Sequence, residues 1–256
     1  MLLPNLLYIS AVIRGVYTQT VYLCGDSTTA DNGGKRLTQG WGVFLQDSLD
    51  IKVVNNAIGG RSARSFTEEG RFKEVADLVQ PGDFVVMEFG KNDGGSLRNS
   101  KNQRTPCPGD GNEKCVSPVN GQTVYTFPQY LIVAGRSMTD KGAKVIYASL
   151  IPNNPWEVEP FSYVPGRFSA YASLAAKTIG SPSATFVDHG KYVAEAYRLA
   201  GKAVVDTYYP TDHTHPSKAG ALVVEKAFVR SIVCAKNELA EHVKIPADEL
   251  QGECLE

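Results

Sequence analysis

Short apolar runs rich in β-branched residues alternate along this chain with longer segments whose apolar positions recur at helical spacing. An unbroken apolar run of that size is what a strand buried on both faces requires. Recurrence at every third and fourth residue instead lays one stripe of a helix against a core. The pattern predicts strands over 21–24, 52–57, 83–89, 144–150 and 185–188, and helices over 40–49, 72–79, 127–141, 167–179, 191–200 and 218–234. In the first helix Trp41, Phe44, Leu45 and Leu49 share one face, and Pro81-Gly82 turns the chain into the third strand. Strands alternating with helices in this way specify an α/β sandwich around a parallel sheet.

The segment 94–122 has no clear period and is rich in Gly, Asn, Pro and Ser. A loop that long inside a compact domain is usually functional or stapled. In open parallel sheets, ligands bind beyond the carboxyl ends of the strands. Gly25-Asp26-Ser27, Gly59-Gly60-Arg61, Gly90-Lys91-Asn92-Asp93 and Ile151-Pro152-Asn153-Asn154 each follow a predicted strand, so they are expected to converge on one edge of the sheet.

With 256 residues, 43% of them hydrophobic, the chain suffices for one well-buried core, and 20–256 reads as a single domain. The formal net charge of −1 comes from acids and bases mixed along the chain. Nothing forms the basic stripe that nucleic-acid phosphates require, so no nucleic-acid partner is expected. Residues 1–19 are apolar but too short to span a bilayer, and they read as a secretory signal peptide lacking a basic leader. An amphipathic N-terminal helix is the alternative. No Asn-x-Ser/Thr sequence occurs to support export through glycosylation.

Of the five cysteines, Cys107 and Cys115 bracket a Pro/Gly/Asp-rich stretch that cannot pack a core alone. Cys234 ends a helical pattern, and Cys254 is placed to pin the polar tail back onto it. Two such bridges suit an oxidising compartment and hence a secreted, extracellular protein. Cys24 is left over inside a predicted buried strand, where inert packing is expected.

The chemistry lies at the two ends of the chain. Ser27 follows the first strand, and Asp212 and His215 stand three apart in a tight turn. Together they supply a nucleophile, an imidazole to take its proton and a carboxylate to orient the imidazole. The bland alternative for each is helix or turn capping, since Pro216-Ser217-Lys218 opens the last helix. An alkoxide attacking a carbonyl creates an oxyanion, for which the N–H groups of Ser27 and Gly60 and the amide of Asn92 are candidate donors. Gly60 also reads simply as a turn of positive φ, and Asn92 as an Asx turn. His189 reads as a loop histidine with its hydrogen bonds satisfied or as a group near the site, His213 as solvent-facing, and His242 as part of a solvated tail. Metalloprotease spacing and Cys-x-x-Cys are absent, and neither metal nor cofactor is expected.

Gly25-Asp26-Ser27, Gly60, Gly90-x-Asn92-Asp93 and Asp212-x-x-His215 resemble, in order and spacing, the four blocks of the SGNH (GDSL-type) hydrolases. Further stretches are similar to fungal rhamnogalacturonan acetylesterases: the 54–65 segment, Glu69-Gly70-Arg71-Phe72, Asn92 to Leu97, Asn153-Asn154-Pro155-Trp156 and the cysteine positions. The resemblance implies a flavodoxin-like three-layer α/β/α sandwich and a Ser27–His215–Asp212 triad. It also implies an oxyanion hole of Ser27, Gly60 and Asn92, bridges Cys107–Cys115 and Cys234–Cys254, and an acetylated pectic polysaccharide as substrate. Lys91 departs from the histidine frequent at its position, and Cys24 from a small residue. Sugar contacts are expected from Asn153, Asn154 and Trp156, with Arg61 meeting uronate carboxylates. Trp156 is equally a core candidate, and Arg61 equally an ion-pair partner. A monomer with no membrane partner is expected. Two other functions stay open: an SGNH esterase of another acetylated polysaccharide or of lipids, and a non-catalytic module using Gly-Asp-Ser as an anion nest.

Overall fold

The computed structural model describes residues 18–32, 37–99, 102–246, 249–250 and 252–255; the expected signal segment lies outside them except for Thr18 and Gln19. The strands are β1 (Thr20–Gly25), β2 (Lys52–Asn55), β3 (Phe84–Glu88), β4 (Lys114–Val116), β5 (Thr123–Tyr125), β6 (Lys144–Ala148) and β7 (Ala184–Val187). The α-helices are α1 (Leu45–Ser48), α2 (Ala63–Glu68), α3 (Arg71–Leu78), α4 (Phe127–Thr139), α5 (Arg167–Ile179), α6 (His189–Ala200), α7 (Lys202–Asp206) and α8 (Lys218–Cys234).

Five strands form one parallel sheet in the order β2-β1-β3-β6-β7. Side chains alternate across it. Tyr22, Cys24, Val85, Met87, Val145 and Tyr147 pack with α2, α3, α4 and α5. Val21, Leu23, Phe84, Val86, Ile146 and Ala148 pack with Trp41, Leu45, α6 and α8 on the other face. Apolar residues at both parities make each strand two-faced, and the result is a three-layer α/β/α sandwich. Strand order reverses between β1 and β3, which places the switch-point crevice over the carboxyl ends of those two strands.

Three departures from the pattern have local causes. The predicted helix 40–49 breaks into a 3₁₀ turn, Trp41–Val43, followed by the short α1. A Cβ on Gly40 would stand 2.2 Å from the Ala30 carbonyl oxygen, so the chain here is pressed onto the loop after β1 and cannot wind freely. Helix α2, which the apolar pattern does not signal, is closed by a reciprocal capping box between Ser62 and Ser65. Near the end of 94–122, β4 pairs with β5 just beyond it as a small antiparallel hairpin. Cys107 and Cys115 are bonded beside it, and Cys234 is bonded to Cys254. Cys24 is unbridged and buried, and burial pushes its thiol pKa well up, which suits packing over reactivity.

Two buried polar groups support the layers beneath the sheet edge. His189 at the start of α6 places Nδ1 2.6 Å from Glu88 and Nε2 2.9 Å from the Val224 carbonyl. A carbonyl only accepts, so Nε2 carries hydrogen, and one further proton lies between imidazole and carboxylate; the pair is neutral overall. The Trp41 indole donates to the other Glu88 oxygen at 3.2 Å. Removing the imidazole should leave Glu88 uncompensated, and His189→Ala is expected to lose about 3–5 kcal/mol of unfolding free energy. A loss below about 1 kcal/mol in urea titration would show that the pair does not hold these layers together.

Glu225 in α8 is buried at 1% exposure, and burial raises its carboxyl from 4.5 to about 7. The folded protein therefore binds this proton more tightly than the unfolded chain. The group's contribution favours folding at low pH and declines as pH rises from about 4.5 to about 7. Glu225→Gln should gain up to about 3 kcal/mol at pH 8 and almost nothing near pH 4. Equal gains at both pH values in denaturant titrations would contradict this.

Candidate active site

The loop after β1 is wound tightly by its own polar groups. Asp26 is fully buried, its Oδ1 accepts from the Thr28 amide and hydroxyl at 2.9 Å each, and its carbonyl accepts from Thr29 and Ala30. Gly25 is packed so closely that a Cβ would lie 2.7 Å from the Thr29 hydroxyl. Asn55 of β2 donates to the Thr29 carbonyl, and Trp41 donates its backbone N–H to Thr28. This winding leaves Ser27 half-buried at the sheet edge, while Asp26 on one side and Thr28 on the other are buried.

Ser27 Oγ lies 2.8 Å from His215 Nε2, joining positions 188 residues apart. His215 Nδ1 lies 2.8 Å from Asp212 Oδ2. The other Asp212 oxygen accepts the backbone N–H groups of Thr214 at 2.7 Å and His215 at 2.8 Å. One carboxylate thus closes the turn and orients the ring. Partial burial acts to raise the Asp212 pKa, but hydrogen bonds from the His215 ring and from the two backbone amides outweigh it and hold the pKa below its usual value. The turn leads directly into α8, whose N-cap Ser217 accepts from Gly220. Pro216 accepts from Gln39 and Ser217 donates to Tyr208, so neighbouring loops fix the turn.

Beyond β2, hydrogen bonds from Asn56 to Leu23 and from Ile58 to Gly25 prolong the pairing and bring Gly59 and Gly60 over the end of β1. A Cβ on Gly59 would stand 3.6 Å from the Ser27 Cβ, and Gly60 has φ +77°. Asn92 Nδ2 donates to the Arg61 carbonyl at 3.1 Å, which leaves its second N–H for a ligand. Asp93, fully buried beside it, accepts from the Ala63 amide at 2.9 Å, and burial lifts its pKa well above the usual carboxylate range. Burial likewise raises Asp26.

The loops place the four expected sugar contacts differently. Asn153 is exposed at the rim, where its Oδ1 accepts from Lys91 Nζ at 2.5 Å and from the Thr214 hydroxyl at 3.3 Å. Asn154 is turned inward: Nδ2 donates to Asp206 at 2.9 Å and Oδ1 accepts from the Trp156 amide at 3.0 Å. The Trp156 indole N–H donates to the Tyr197 carbonyl at 2.9 Å, and its ring meets Phe161 edge-on. Both residues hold the loop to α6 and α7, and their polar atoms are occupied. Arg61 pairs with Glu69 at 3.1 Å and also donates to the Gly59 carbonyl. Its neighbour Arg64 is fully buried between Glu68 and the Thr105 carbonyl.

Among the remaining histidines, His213 is exposed and lies 3.0 Å from Glu157, and His242 meets Asp50 at 3.1 Å. Arg104 joins the site with no signal in the residue pattern. It comes from the aperiodic 94–122 segment, and its guanidinium lies 3.5 Å from Asn92 Oδ1 and close over Gly60.

A hydroxyl bonded to an imidazole that a carboxylate orients can lose its proton as it attacks an acyl carbon. No group of three or more metal-ligating side chains gathers among the described residues. Within the same residues, no helix is long and apolar enough to cross a membrane.

The sequence profile of the GDSL-like Lipase/Acylhydrolase family matches residues 23–223. The rhamnogalacturonan acetylesterase of Emericella nidulans is 47% identical over 247 residues, which cover 96% of each chain. YesY of Bacillus subtilis, described as a probable rhamnogalacturonan acetylesterase, is 29% identical across 83% of this chain and 91% of its own. The crystal structure of YXIM_BACsu from Bacillus subtilis superposes with a TM-score of 0.69 at 22% identity. That match covers 87% of this chain and 58% of the other, a likeness of fold. With most of its length matched by the profile and nearly all of it by a relative at 47% identity, the chain belongs to the GDSL-like lipase/acylhydrolase family of serine esterases.

Proposed function

We propose that this protein is a secreted carbohydrate esterase that removes acetyl groups from rhamnogalacturonan, the pectic polysaccharide, through an acetyl-serine intermediate. The observation that carries the reading is the unbroken relay from Ser27 through His215 to Asp212, with 2.8 Å at each step. Likeness over 96% of the chain to a protein named for this activity supports the substrate class. Two disulfides support an extracellular site of action.

Ser27 Oγ attacks the acetyl carbonyl carbon while His215 Nε2 takes its proton. Asp212 keeps Nδ1 protonated and stabilises the imidazolium. The oxyanion is met by the N–H groups of Ser27 and Gly60 and by the spare N–H of Asn92. When the bond from the acyl carbon to the sugar oxygen breaks, His215 returns the proton to that oxygen. Water then attacks the acetyl-serine with His215 again as base; the bond from the acyl carbon to Ser27 Oγ breaks, His215 returns the proton to Oγ, and acetate leaves. The triad side chains of Asp212 and His215 are 45% and 33% exposed, an open setting that admits a polymer chain.

Ser27→Ala should keep the fold and lower acetate release from acetylated rhamnogalacturonan by roughly 10⁴-fold or more. Near-normal release would end this mechanism. Asn92→Ala should lower turnover by about 10²–10³-fold; an unchanged rate would remove Asn92 from the oxyanion site.

A further inference from the structure

Lys91 departs from the histidine expected at its position and places an amine beside the site. It lies half-buried immediately before Asn92. Its ammonium donates to Asn153 Oδ1, a neutral amide that the Thr214 hydroxyl also contacts, within the Asp212–His215 turn. The Nζ therefore stands where the loop carrying Asn92 meets the loop carrying the triad. A cleft of about 500 Å³ opens there, lined by Lys91, Asn153, Asn154, Glu157, Gly166 and Phe168 among others.

The charged side chains around it already have hydrogen-bond partners. Glu88 meets His189, Asp212 meets His215, Glu157 meets His213 and Arg61 meets Glu69. Burial raises the Asp26 pKa. Among the described residues no carboxylate lies within ion-pair distance of Lys91 Nζ; burial lowers its pKa to about 8, and the more distant Asp26, Glu88 and Asp212 offset part of that shift by favouring the charged form. The ammonium has three N–H donors, and Asn153 engages one of them.

We infer that Lys91 is a specificity residue that binds a uronate carboxylate of the polymer as the acetylated sugar enters the cleft. The inference rests on the proposed action on rhamnogalacturonan, whose galacturonate units carry that carboxylate. Arg61 is tied to Glu69, so Lys91 from the loop after β3 takes the role expected of Arg61 from the loop after β2.

The test measures acetate release by the wild-type protein, Lys91→Met and Lys91→Arg on two forms of acetylated rhamnogalacturonan fragments, one with free carboxylates and one with those carboxyls methyl-esterified. The wild type should favour the free form in kcat/KM by about tenfold, mainly through KM, the scale of one charged hydrogen bond. Lys91→Met should abolish that preference, and Lys91→Arg should retain most of it. A preference that survives in Lys91→Met overturns the inference. So does an equal loss on both substrates carried by kcat, or a Lys91→Arg protein that behaves like Lys91→Met. A wild type active on both forms without preference overturns only this inference, while one that releases acetate from neither overturns the proposed function along with it.

Discussion

Parallel pairing of β1 with β2 on one side and β3 on the other is the constraint on which the site depends. Parallel strands send all their carboxyl ends to one edge, and the reversal of order between β1 and β3 opens a crevice there. Ser27, Gly60 and Asn92 come from loops that leave those three strands within a few residues of the last ladder bond. Their mutual placement follows from sheet register, since Gly25 lies opposite Glu88 and Leu23 opposite Asn55. A one-residue slip would turn the side chains of β1 to opposite faces and break both cores.

The second requirement is to bring the far end of the chain to the same edge. Helix α8 does this through burial. Val224, Phe228 and Ile232 pack in the layer with Trp41 and Val21, and the turn that begins the helix is thereby set above Ser27. Trp41 stacks on Phe228 at 4.7 Å between centroids, and its indole also bonds Glu88, which in turn meets His189. Core packing and the buried polar network thus act on the same few residues directly below the site.

Charge around the site is handled by pairing and by burial. Among the described residues around the site, Glu88, Asp212 and Glu157 each have a histidine partner and differ in exposure. The fully buried pair is structural, the half-exposed one contacts Ser27, and the outermost spans two surface loops. In the low dielectric beneath the loops, burial raises the pKa of Asp26 and Asp93, and each accepts a backbone amide.

Sequence alone determined the layer architecture and the blocks of the site, because both are written in local patterns. Apolar runs mark β1, β3 and β6, and Gly-Asp-Ser and Asp-x-x-His have short, ordered spacing. Trp156 shows where such reading stops. An indole beside two asparagines looks like a sugar platform, yet its N–H bonds the Tyr197 carbonyl, which only the packing of α6 brings into reach. Arg104, from a segment without period, reaches Asn92 because the stapled 94–122 loop folds back over α2. The placing of Lys91 against Asn153 and the Asp212–His215 turn is equally invisible in composition, since it depends on loops from distant parts of the chain meeting. Local propensity and spacing are encoded residue by residue, whereas the partner of a polar side chain is chosen by contacts between distant segments, and those exist only once the layers have closed.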